Sequence, residues 1–329
     1  MAKVIREQLI QLLADGHFIS GQYLGNKLGV SRAAISNQIK VLTEMGLDIY
    51  SVTGKGYKLS QPIILLSVKE ITKNLQMLGS SNPIELHSII DSTNSYLLRK
   101  IPNQITAGQV CIAEYQQKGR GRRGRTWQSP FASHLYLSLY WPLEQGMSAV
   151  MGLSLVVAVA ISDALQNFTH EKIQLKWPND IYLQGKKVAG ILIELEGAAQ
   201  DAGHCVIGVG INVQMPNKSA KKIDQPWTDL NSFCEEPLDR NLLSALIIHS
   251  IMQRLKQHQE FGLSSILDEW LKLDCFLGKP VKVITGSNEK TGIYQGVNEQ
   301  GALLLQSKDK LEVLYGGEIS LRGYDESID

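Results

Sequence analysis

The feature that most limits how this chain can fold is a run of glycines and arginines near its middle, from Gly119 to Arg125. With Lys118, the run places five positive side chains in eight residues. It has no apolar side chain to bury, and fixing each residue of a chain costs roughly 1–2 kcal/mol, more for glycine. We therefore expect a loop between two strands that is mobile when empty and closes on an anionic ligand.

Arginine suits this task because its planar guanidinium group donates paired, charge-assisted hydrogen bonds to phosphate or carboxylate. Glycines let backbone N–H groups approach the same ligand closely. The run is not a P-loop, and it does not open a βαβ unit as a dinucleotide-binding fingerprint would. Two alternatives stay open, an RGG-like contact with nucleic acid and a solvated run of charge. Both suit a chain end better than a position between two apolar strands.

Residues 1–62 are predicted to form a winged helix-turn-helix domain. Apolar residues recur at helical spacing before Gly16, Ser20 can cap a second helix, and Ser31 can cap a third. The stretch from Ile49 to Leu59 alternates around a glycine-rich tip, which predicts a β-hairpin. Three helices followed by a hairpin are typical of a DNA-binding module with a wing.

The exposed polar residues of this domain predict contact with DNA. We expect the third helix to enter the major groove and the wing to contact phosphates. The residues concerned are Arg32, Ser36, Asn37 and Lys40 on the helix, and Lys55 and Lys58 on the wing. Residues 1–60 carry a net charge of +3 and the remainder −2, so the positive excess lies where a polyanion would bind. The alternative is a small three-helix module that binds protein and has merely solvated polar residues.

The rest of the chain divides into two further predicted domains, so the fold class is α+β. Over residues 63–273, alternating strands and helices predict a mixed α/β domain. Its strands are Val110–Tyr115, His134–Trp141, Ile173–Trp177, Lys187–Leu195 and Val206–Val213, and its helices are Ser148–Gln166 and Arg240–Gln259. Residues 274–329 predict a small β-barrel or sandwich. Its strands are Val281–Thr285, Gly292–Val297, Ala302–Gln306 and Leu311–Tyr315.

Composition argues against several classes of protein. The four cysteines are far apart and form no CxxC pair, which argues against a zinc site and a disulfide scaffold and favours packing thiols in a reducing cytoplasm. The most apolar run, Ala149 to Ile161, is interrupted by Ser154 and is shorter than the roughly 20 residues that a membrane span needs. The N-terminus has no apolar block of the kind found in signal peptides. We therefore expect a cytoplasmic protein with no membrane contact.

Two further clusters of polar residues could act together with the arginine run. Lys176 to Asp180 end a strand in a turn, where amide and carboxylate oxygens suit Mg²⁺ shared with phosphates. Lys187 opens the next strand and could hold a positive charge in the same cleft. Asp91 to Asn94 alone are typical of a helix N-cap, although their hydroxyls could also bind a polar head group. Taken singly, Asn179 and Asp180 fit a plain turn, and Lys187 fits the end of a surface strand. Because they occur together with the arginine run, we favour a shared binding site for a phosphate-bearing ligand.

Over nearly its whole length the chain resembles the bacterial bifunctional biotin–protein ligase and biotin-operon repressor family. The matching motifs are LGVSRAAISNQI near the N-terminus, DSTN at 91–94, EYQQKGRGRRGRTW at 114–127, KWPNDIYLQGKKVAGILIEL at 176–195, GVGIN at 208–212 and GGEISLR at 316–322. The resemblance implies a central catalytic domain of the biotin/lipoate ligase type and an SH3-like C-terminal barrel. Two places depart from the family pattern: Lys118 stands where a small residue is usual, and the loop from Val213 to Trp227 is individual.

The resemblance also implies a role for each polar residue of these motifs. The head group of biotin would be held by Ser92, Thr93, Asn94, Gln116, Gly121 and Gly190, with the backbone near Arg120. Arg120 and Arg122 would cover the biotin carboxylate and the α-phosphate, and Lys187 would contact both reacting groups, so these three are the implied catalytic residues. ATP and the adenylate would be bound by Trp127, Lys176, Asn212 and Trp227. Mg²⁺ would lie near Asn179 and Asp180.

In the implied reaction, biotin and ATP form biotinyl-5′-AMP, and a lysine of the biotin carboxyl carrier protein then takes the biotin. The adenylate would also act as corepressor. The loaded protein would dimerise through an edge strand around Gly190–Leu195 and bind a palindromic operator, and the carrier protein would compete for that edge. Deletion of residues 1–60 would abolish operator binding and leave ligation intact.

Two other functions fit parts of the sequence. An enzyme that transfers lipoate or octanoate has a related catalytic fold, but it would need a longer apolar slot and lacks the arginine run and the DNA-binding module. A transcription factor that senses a small molecule without chemistry would have no use for Lys187 beside a turn suited to Mg²⁺.

Overall fold

The computed structural model describes residues 2–103, 105–143, 150, 152–197, 203–285, 287–308, 310–315 and 319–323. Its first elements are α1 (Ala2–Leu13), α2 (Gly21–Leu28), α3 (Arg32–Glu44), β1 (Ile49–Val52) and β2 (Gly56–Leu59). Ser20 and Ser31 cap α2 and α3 as predicted, because their hydroxyls accept the backbone N–H of Tyr23 and Ala34. β1 and β2 pair antiparallel. The predicted winged helix-turn-helix arrangement is confirmed.

The wing is fixed to the helices through the backbone. Ile19 and Tyr57 exchange two N–H···O hydrogen bonds of 2.9 Å each. A Cβ on Gly56 would lie 2.1 Å from the carbonyl oxygen of Ile19, so this close approach requires glycine. Of the residues predicted to contact DNA, five are exposed: Arg32, Ser36, Asn37, Lys40 and Lys55. Lys58 is partly buried.

A seven-stranded mixed sheet forms the central part, in the order β3-β4-β5-β9-β8-β7-β6. Its strands are β3 (Ile84–His87), β4 (Val110–Ala113), β5 (His134–Leu143), β6 (Ile173–Lys176), β7 (Asp180–Leu183), β8 (Lys186–Glu196) and β9 (Gly203–Asn212). β3 and β4 are parallel, and the other neighbours are antiparallel. The five predicted strands are present, whereas β3 and β7 were missing from the prediction.

Apolar clusters lie on both faces of this sheet because side chains alternate along each strand. On β4, Val110 and Ile112 join the main core, and Cys111 and Ala113 join a smaller cluster beneath α5. The helices of this part are α4 (Val68–Met77), α5 (Thr93–Lys100), α6 (Leu153–Leu165), α7 (Asn217–Ala220), α8 (Arg240–Phe261) and α9 (Ser264–Leu273). Helix α6 begins at Leu153, whereas the predicted helix began at Ser148. Of the residues between these two starts, 148, 149 and 151 lie outside the described part.

The prediction that Gly190–Leu195 form an edge strand is only partly right. At Ala189 and Gly190, β8 pairs with both β7 and β9 and is an interior strand. Beyond Gly190, β8 continues to pair with β9 but has no partner on β7, because the first residue of β7, Asp180, lies opposite Gly190. In the described part of the chain, the outer edge of β8 from Leu192 to Glu196 therefore has no neighbouring strand.

The last part is a five-stranded antiparallel sheet with the order β13-β12-β11-β10-β14. Its strands are β10 (Pro280–Thr285), β11 (Asn288–Val297), β12 (Leu303–Ser307), β13 (Lys310–Leu314) and β14 (Ile319–Gly323). The four predicted strands are confirmed. β14 was not predicted and lies in the GGEISLR motif, whose first three residues are outside the described part.

The winged domain shares one apolar cluster with the central part. Ile89 and Phe131 pack into the cluster built by the buried residues of α1, α2 and α3. The backbone N–H of Phe131 donates to the carbonyl oxygen of Met45 at 2.9 Å. Phe131 follows the arginine run by only a few residues, so the winged domain supports the segment that carries this run.

A buried ion pair holds the segment that joins these two parts. Arg240 lies 2.6 Å from Glu114, and both side chains are almost fully buried. The second oxygen of Glu114 accepts the backbone N–H of Leu66 at 2.6 Å, and Arg240 donates to the carbonyl oxygen of Ile64 at 2.8 Å. Breaking such a buried pair by removing one partner is strongly destabilising.

The cysteines are free thiols, as expected: Cys111, Cys205, Cys234 and Cys275. In the described part, no helix is both long and apolar enough to cross a membrane. The same residues contain no group of three or more His, Cys, Asp or Glu side chains that could hold a metal ion.

Candidate functional site

One cleft of about 840 Å³ opens beside β8 and β9, and it collects every ligase-site residue predicted from the sequence. These are Ser92, Thr93, Asn94, Gln116, Arg120, Gly121, Arg122, Trp127, Lys176, Asn179, Asp180, Lys187, Gly190, Asn212 and Trp227. They come from six separate stretches of sequence, which only the folded chain brings together. The chemical character of the lining side chains changes from one end of the cleft to the other.

Neutral hydrogen-bonding groups line the first end. Ser92 caps α5 as predicted. The next residue, Thr93, donates both its N–H and its hydroxyl to Oε1 of Gln116, at 2.9 and 3.1 Å. The amide of Gln116 in turn donates to Ser129 at 3.3 Å. Uncharged donors and acceptors held in this way suit a neutral polar ligand group such as a urea or an amide.

A second chain of hydrogen bonds supports this end from behind. Ser138 Oγ lies 2.7 Å from Thr93 Oγ1 and 2.5 Å from Asn94 Oδ1. The amide of Asn94 donates to Glu194 at 2.8 Å. Gly208 is required here, because a Cβ on it would lie 2.3 Å from Asn94 Oδ1. Sequence reasoning found neither Ser138 nor Glu194, since each follows and precedes apolar residues in a strand and belongs to no cluster of polar residues.

The arginine run folds into a tight hairpin over the cleft. Gly121 N–H donates to Arg125 O at 2.8 Å, and Trp127 N–H donates to Gly119 O at 3.0 Å. Arg120 donates to both oxygens of Glu194 at 3.0 Å and to Ser95 at 2.7 Å. Polar contacts with the protein therefore hold the run in this conformation, although it buries no apolar side chain. Its mobility when empty remains a prediction.

Positive charge is concentrated in the middle of the cleft. Arg122 donates to Asn179 Oδ1 at 3.0 Å, and burial lowers the pKa of Arg122 from its ordinary value. Lys187 lies 2.7 Å from Asp180 Oδ1, and the two side chains are 13% and 17% exposed. Partly desolvated cations at this position would stabilise an anion more strongly than cations in water.

The floor between these groups is made of glycine. The ring of Trp127 lies so close to Gly210 that a Cβ there would be 2.5 Å from it. A Cβ on Gly190 would be 3.1 Å from Lys187 Nζ and 3.2 Å from the same ring. The ammonium group of Lys187 lies over the ring, 5.6 Å from its centroid. A side chain at Gly210 would therefore displace the indole, whereas at Gly190 the lysine and the indole would have to move by only a few tenths of an ångström.

The far end is closed by the segment from Val213 to Trp227. Lys187 N–H donates to Pro226 O at 3.2 Å, and Thr228 N–H donates to Lys187 O at 2.9 Å. The amide of Asn212 donates to Thr228 O at 3.0 Å. This segment is therefore attached to the strand that carries Lys187, and Trp227 offers an aromatic surface to a flat ring.

The C-terminal part also reaches the cleft, which the sequence did not predict. Leu321, Arg322 and Gly323 of β14 are among its lining residues. Lys176 stands between the rings of Tyr182 and Phe276, at 5.3 and 5.7 Å from their centroids. Burial is the main cause of its lowered pKa, with Arg322 among the further contributors. Lys176 and Arg322 both line this end of the cleft, and their two positive charges favour a multiply charged anion.

The cleft thus joins a neutral head-group pocket, a cationic centre and an aromatic far end. These features suit an enzyme that activates a carboxylic acid with a nucleotide. Together with the winged helix-turn-helix domain, these features define a class of ligases that activate a carboxylic acid with a nucleotide and also bind DNA.

Family models agree with this class along the chain. Residues 5–58 match the HTH domain, residues 86–212 the biotin/lipoate A/B protein ligase family, and residues 276–322 the biotin protein ligase C-terminal domain. The bifunctional ligase/repressor BirA of Salmonella typhimurium is 47% identical over 314 residues, covering 95% of this chain and 96% of that protein. BirA of Escherichia coli is also 47% identical, with 96% of each chain covered.

Solved structures agree as well. The biotin protein ligase of Aquifex aeolicus in complex with biotin and ATP superposes with a TM-score of 0.64 at 29% identity, covering 74% of this chain and 99% of that one. The chain belongs to the family of bifunctional biotin ligase/repressors, as its motifs indicated.

Proposed function

We propose that this protein forms biotinyl-5′-AMP from biotin and ATP, transfers the biotin to a lysine of the biotin carboxyl carrier protein, and represses biotin synthesis genes with the adenylate as corepressor. The observation that carries the proposal is the order of groups along the cleft. A neutral pocket, a cationic centre and an aromatic end match the ureido group, the reacting anions and the adenine of biotinyl-5′-AMP.

In the first step, an oxygen of the biotin carboxylate attacks the α-phosphorus, and the bond to pyrophosphate breaks. Both reactants are anions and repel each other in water. Arg122 and Lys187 would offset this repulsion and stabilise the charge on the phosphoryl oxygens. Holding the two reactants together removes a further entropy cost, worth up to about 7–11 kcal/mol in favourable cases.

The head-group end fixes biotin for this step. Thr93, Gln116 and Ser92 would hydrogen-bond the ureido group, with the backbone at Gly121 and Gly190 beside the ring. Trp127 would cover the tail and the phosphate. Asn212 and Trp227 would flank the adenine, and Lys176, with Arg322 nearby, would face the departing pyrophosphate.

Magnesium would be supplied with ATP. Asp180 offers a carboxylate and Asn179 an amide oxygen in the cleft, and Mg²⁺ is commonly held by one or two carboxylates together with substrate phosphates. These oxygens are of the kind that Mg²⁺ prefers, so the two residues fit the ion. When bound there, it would neutralise phosphate charge, while Lys187 keeps Asp180 oriented through their ion pair.

In the second step, the lysine amine of the carrier protein attacks the acyl carbon, the mixed anhydride breaks, AMP leaves and the amine loses a proton. The anhydride is prone to hydrolysis, so a hairpin folded over it would exclude water. The carrier would dock at the outer edge of β8, and a second loaded copy of the chain would use the same edge to form a homodimer. We further propose a three-domain division at 1–62, 63–273 and 274–329, and a cytoplasmic location, which the free cysteines favour.

Repression would act through the winged domain. Arg32, Ser36, Asn37 and Lys40 on the exposed side of α3 would enter the major groove of an operator, and Lys55 on the wing would contact a phosphate. Dimerisation would bring two such domains onto one palindromic site.

The test is exchange of labelled pyrophosphate into ATP, with biotin, lipoate or no added acid. We expect exchange with biotin alone, and transfer of biotin when the carrier protein is added. Exchange that required lipoate would favour the lipoate-transferring alternative, and no exchange with either acid would favour a ligand sensor without chemistry.

A further inference from the structure

The contact between Arg120 and Glu194 indicates a role for Glu194 that the sequence motifs alone do not reveal. Arg120 belongs to the hairpin over the cleft, and Glu194 lies 74 residues later, on the part of β8 beyond β7. One nitrogen of Arg120 lies 3.0 Å from both carboxylate oxygens, and another donates to Ser95 of α5 at 2.7 Å. The side chain therefore crosses from the hairpin to the opposite wall of the cleft.

We propose that Glu194 is a positioning residue that holds the hairpin closed over the head-group pocket through Arg120. This inference rests on the proposed function and deepens it. We call the contact the Arg120–Glu194 latch. In this arrangement Arg120 acts on the protein wall, while Arg122 and Lys187 supply the positive charge at the reacting groups.

Glu194 also joins the latch to the pocket itself. Its Oε2 accepts the amide of Asn94 at 2.8 Å, and Asn94 accepts the hydroxyl of Ser138, which lies next to Thr93. Asn94 and Ser138 are buried, so their hydrogen bonds have no water to replace them. One carboxylate therefore fixes both the lid of the pocket and the groups behind its inner wall.

Closing matters most once the adenylate has formed. A latch that strengthens closure slows release of biotinyl-5′-AMP and its exposure to water, while the chemical step depends on other residues. Loss of Glu194 should therefore raise the release rate and the KM for biotin, and should change kcat for adenylate formation much less.

The variant Glu194→Gln keeps the shape and an acceptor oxygen but removes the charge. The side chains of Arg120 and Glu194 are 38% and 27% exposed, so solvent screens the pair and the effect is moderate. We expect the adenylate to leave roughly threefold to tenfold faster than from the parent protein. Glu196→Gln, two residues further on the same strand and exposed, is the matched control.

The experiment loads the full-length protein with labelled biotin and MgATP, and follows release of adenylate during a chase with unlabelled biotin and ATP. Raising the salt concentration should reduce the difference between the parent and Glu194→Gln, because exposed charges are screened. Glu194→Ala also removes the acceptor of Asn94, so it should accelerate release at least as much as Arg120→Ala. The effects of the two substitutions should be clearly less than additive in the double variant, since both remove the Arg120–Glu194 contact.

The outcomes separate the latch from the proposed function. If the parent protein forms no adenylate, the proposed function fails. If it does, and Glu194→Gln releases adenylate at the same rate as the parent and the Glu196→Gln control, or more slowly, the latch is refuted. Additive effects of Arg120→Ala and Glu194→Ala would also refute it, because Arg120 would then act on the ligand directly.

Discussion

Lys187 and Asp180 form an ion pair of 2.7 Å across the paired strands β7 and β8, within the cationic centre of the cleft. The pair fixes the lysine beside Trp127 without removing its charge from the cleft. Since Lys187 Nζ has three donors, one hydrogen bond to Asp180 leaves two that can point to a ligand. This geometry makes Lys187 the group on which activation of the acid should depend most.

We predict that Lys187→Ala reduces the rate of biotin-dependent pyrophosphate exchange by roughly 100-fold to 1000-fold, the usual effect of removing one group that stabilises a developing anion. The control is Lys186→Ala, the exposed neighbour at the start of the same strand. Exchange by Lys187→Ala at the parent rate would contradict the assigned role.

We predict that Gly208→Ala weakens biotin binding more than ATP binding. The new Cβ would lie 2.3 Å from Asn94 Oδ1, and Asn94 is buried and hydrogen-bonded, so the head-group pocket has to shift. Overpacking of this kind costs roughly 1–3 kcal/mol, so we expect a loss of about fivefold to 150-fold in affinity for biotin. Calorimetric titration with each ligand measures both, and equal losses for biotin and ATP would contradict the separation of the two ends.

We predict that His134 makes the protein less stable in mild acid. Burial lowers its pKa to about 4, against 6.5 in an exposed histidine. Because the folded value is the lower one, the unfolded chain binds the proton first, so stability is lost as the pH falls from 6.5 towards 4. The shift corresponds to roughly 3 kcal/mol at most. Asp91, whose pKa the hydrogen bond from Arg99 lowers to about 2, acts in the same direction only at lower pH.

Urea unfolding of the parent and of His134→Gln at about pH 7 and about pH 5 tests this prediction. The variant should be less stable than the parent at the higher pH, because packing is lost, but its free energy of unfolding should fall less between the two conditions. Burial also lowers the pKa of His258, so a residual acid loss is expected in both proteins. Equal losses would show that His134 titrates normally.

Most elements were predictable from the sequence because their apolar patterns are long and local. β3 and β7 escaped prediction because each has only four residues, and alternation over so short a stretch indicates a strand only weakly; of the alternating four-residue strands in this sheet, only β6 was recognised. The motifs also predicted which residues line the cleft, since loops bearing arginine, aspartate and glycine stand out from their surroundings. Glu194 and Arg322 did not stand out, because each reaches the site only through strand pairing or domain packing.

The sequence also suggested that the winged domain is independent of ligation, and the shared apolar cluster leads to a different expectation. Deletion of residues 1–62 would uncover Ile89 and Phe131 and remove the carbonyl oxygen of Met45 that accepts the N–H of Phe131. We predict a loss of roughly 2–5 kcal/mol in the stability of the remaining chain, comparable to truncating a buried large side chain, and a higher KM for biotin. Thermal unfolding and ligation assays measure these two effects.

The double variant Arg32→Ala, Lys40→Ala is the control for that deletion, because it removes predicted DNA contacts on the exposed side of α3 without uncovering the cluster. It should lose DNA binding and keep the KM for biotin of the parent protein. A truncated chain with the parent's KM and thermal stability would show that the cluster does not support the catalytic part.

The predicted DNA-binding residues would make two kinds of contact, to phosphates and to base edges. The salt dependence of the affinity distinguishes these two kinds. Lys55 lies exposed at the tip of the wing, where it would neutralise one phosphate. Lys55→Ala should therefore weaken binding to any duplex and reduce the slope of log affinity against log salt by about 0.9. Asn37, exposed on α3, would contact base edges, so Asn37→Ala should lower the preference for duplexes selected by the parent protein and leave the slope unchanged.

Both variants are measured by fluorescence anisotropy with the adenylate-loaded protein, using one selected and one random duplex over a range of salt concentrations. Lys27 serves as the comparison for charge alone, since it is exposed at the end of α2 and outside the predicted contacts. If Lys27→Ala and Lys55→Ala changed the slope equally, the wing would contribute only to the general positive field of the domain. A change confined to Lys55→Ala would locate the phosphate contact at the wing, because counterion release counts the charges that actually reach the backbone.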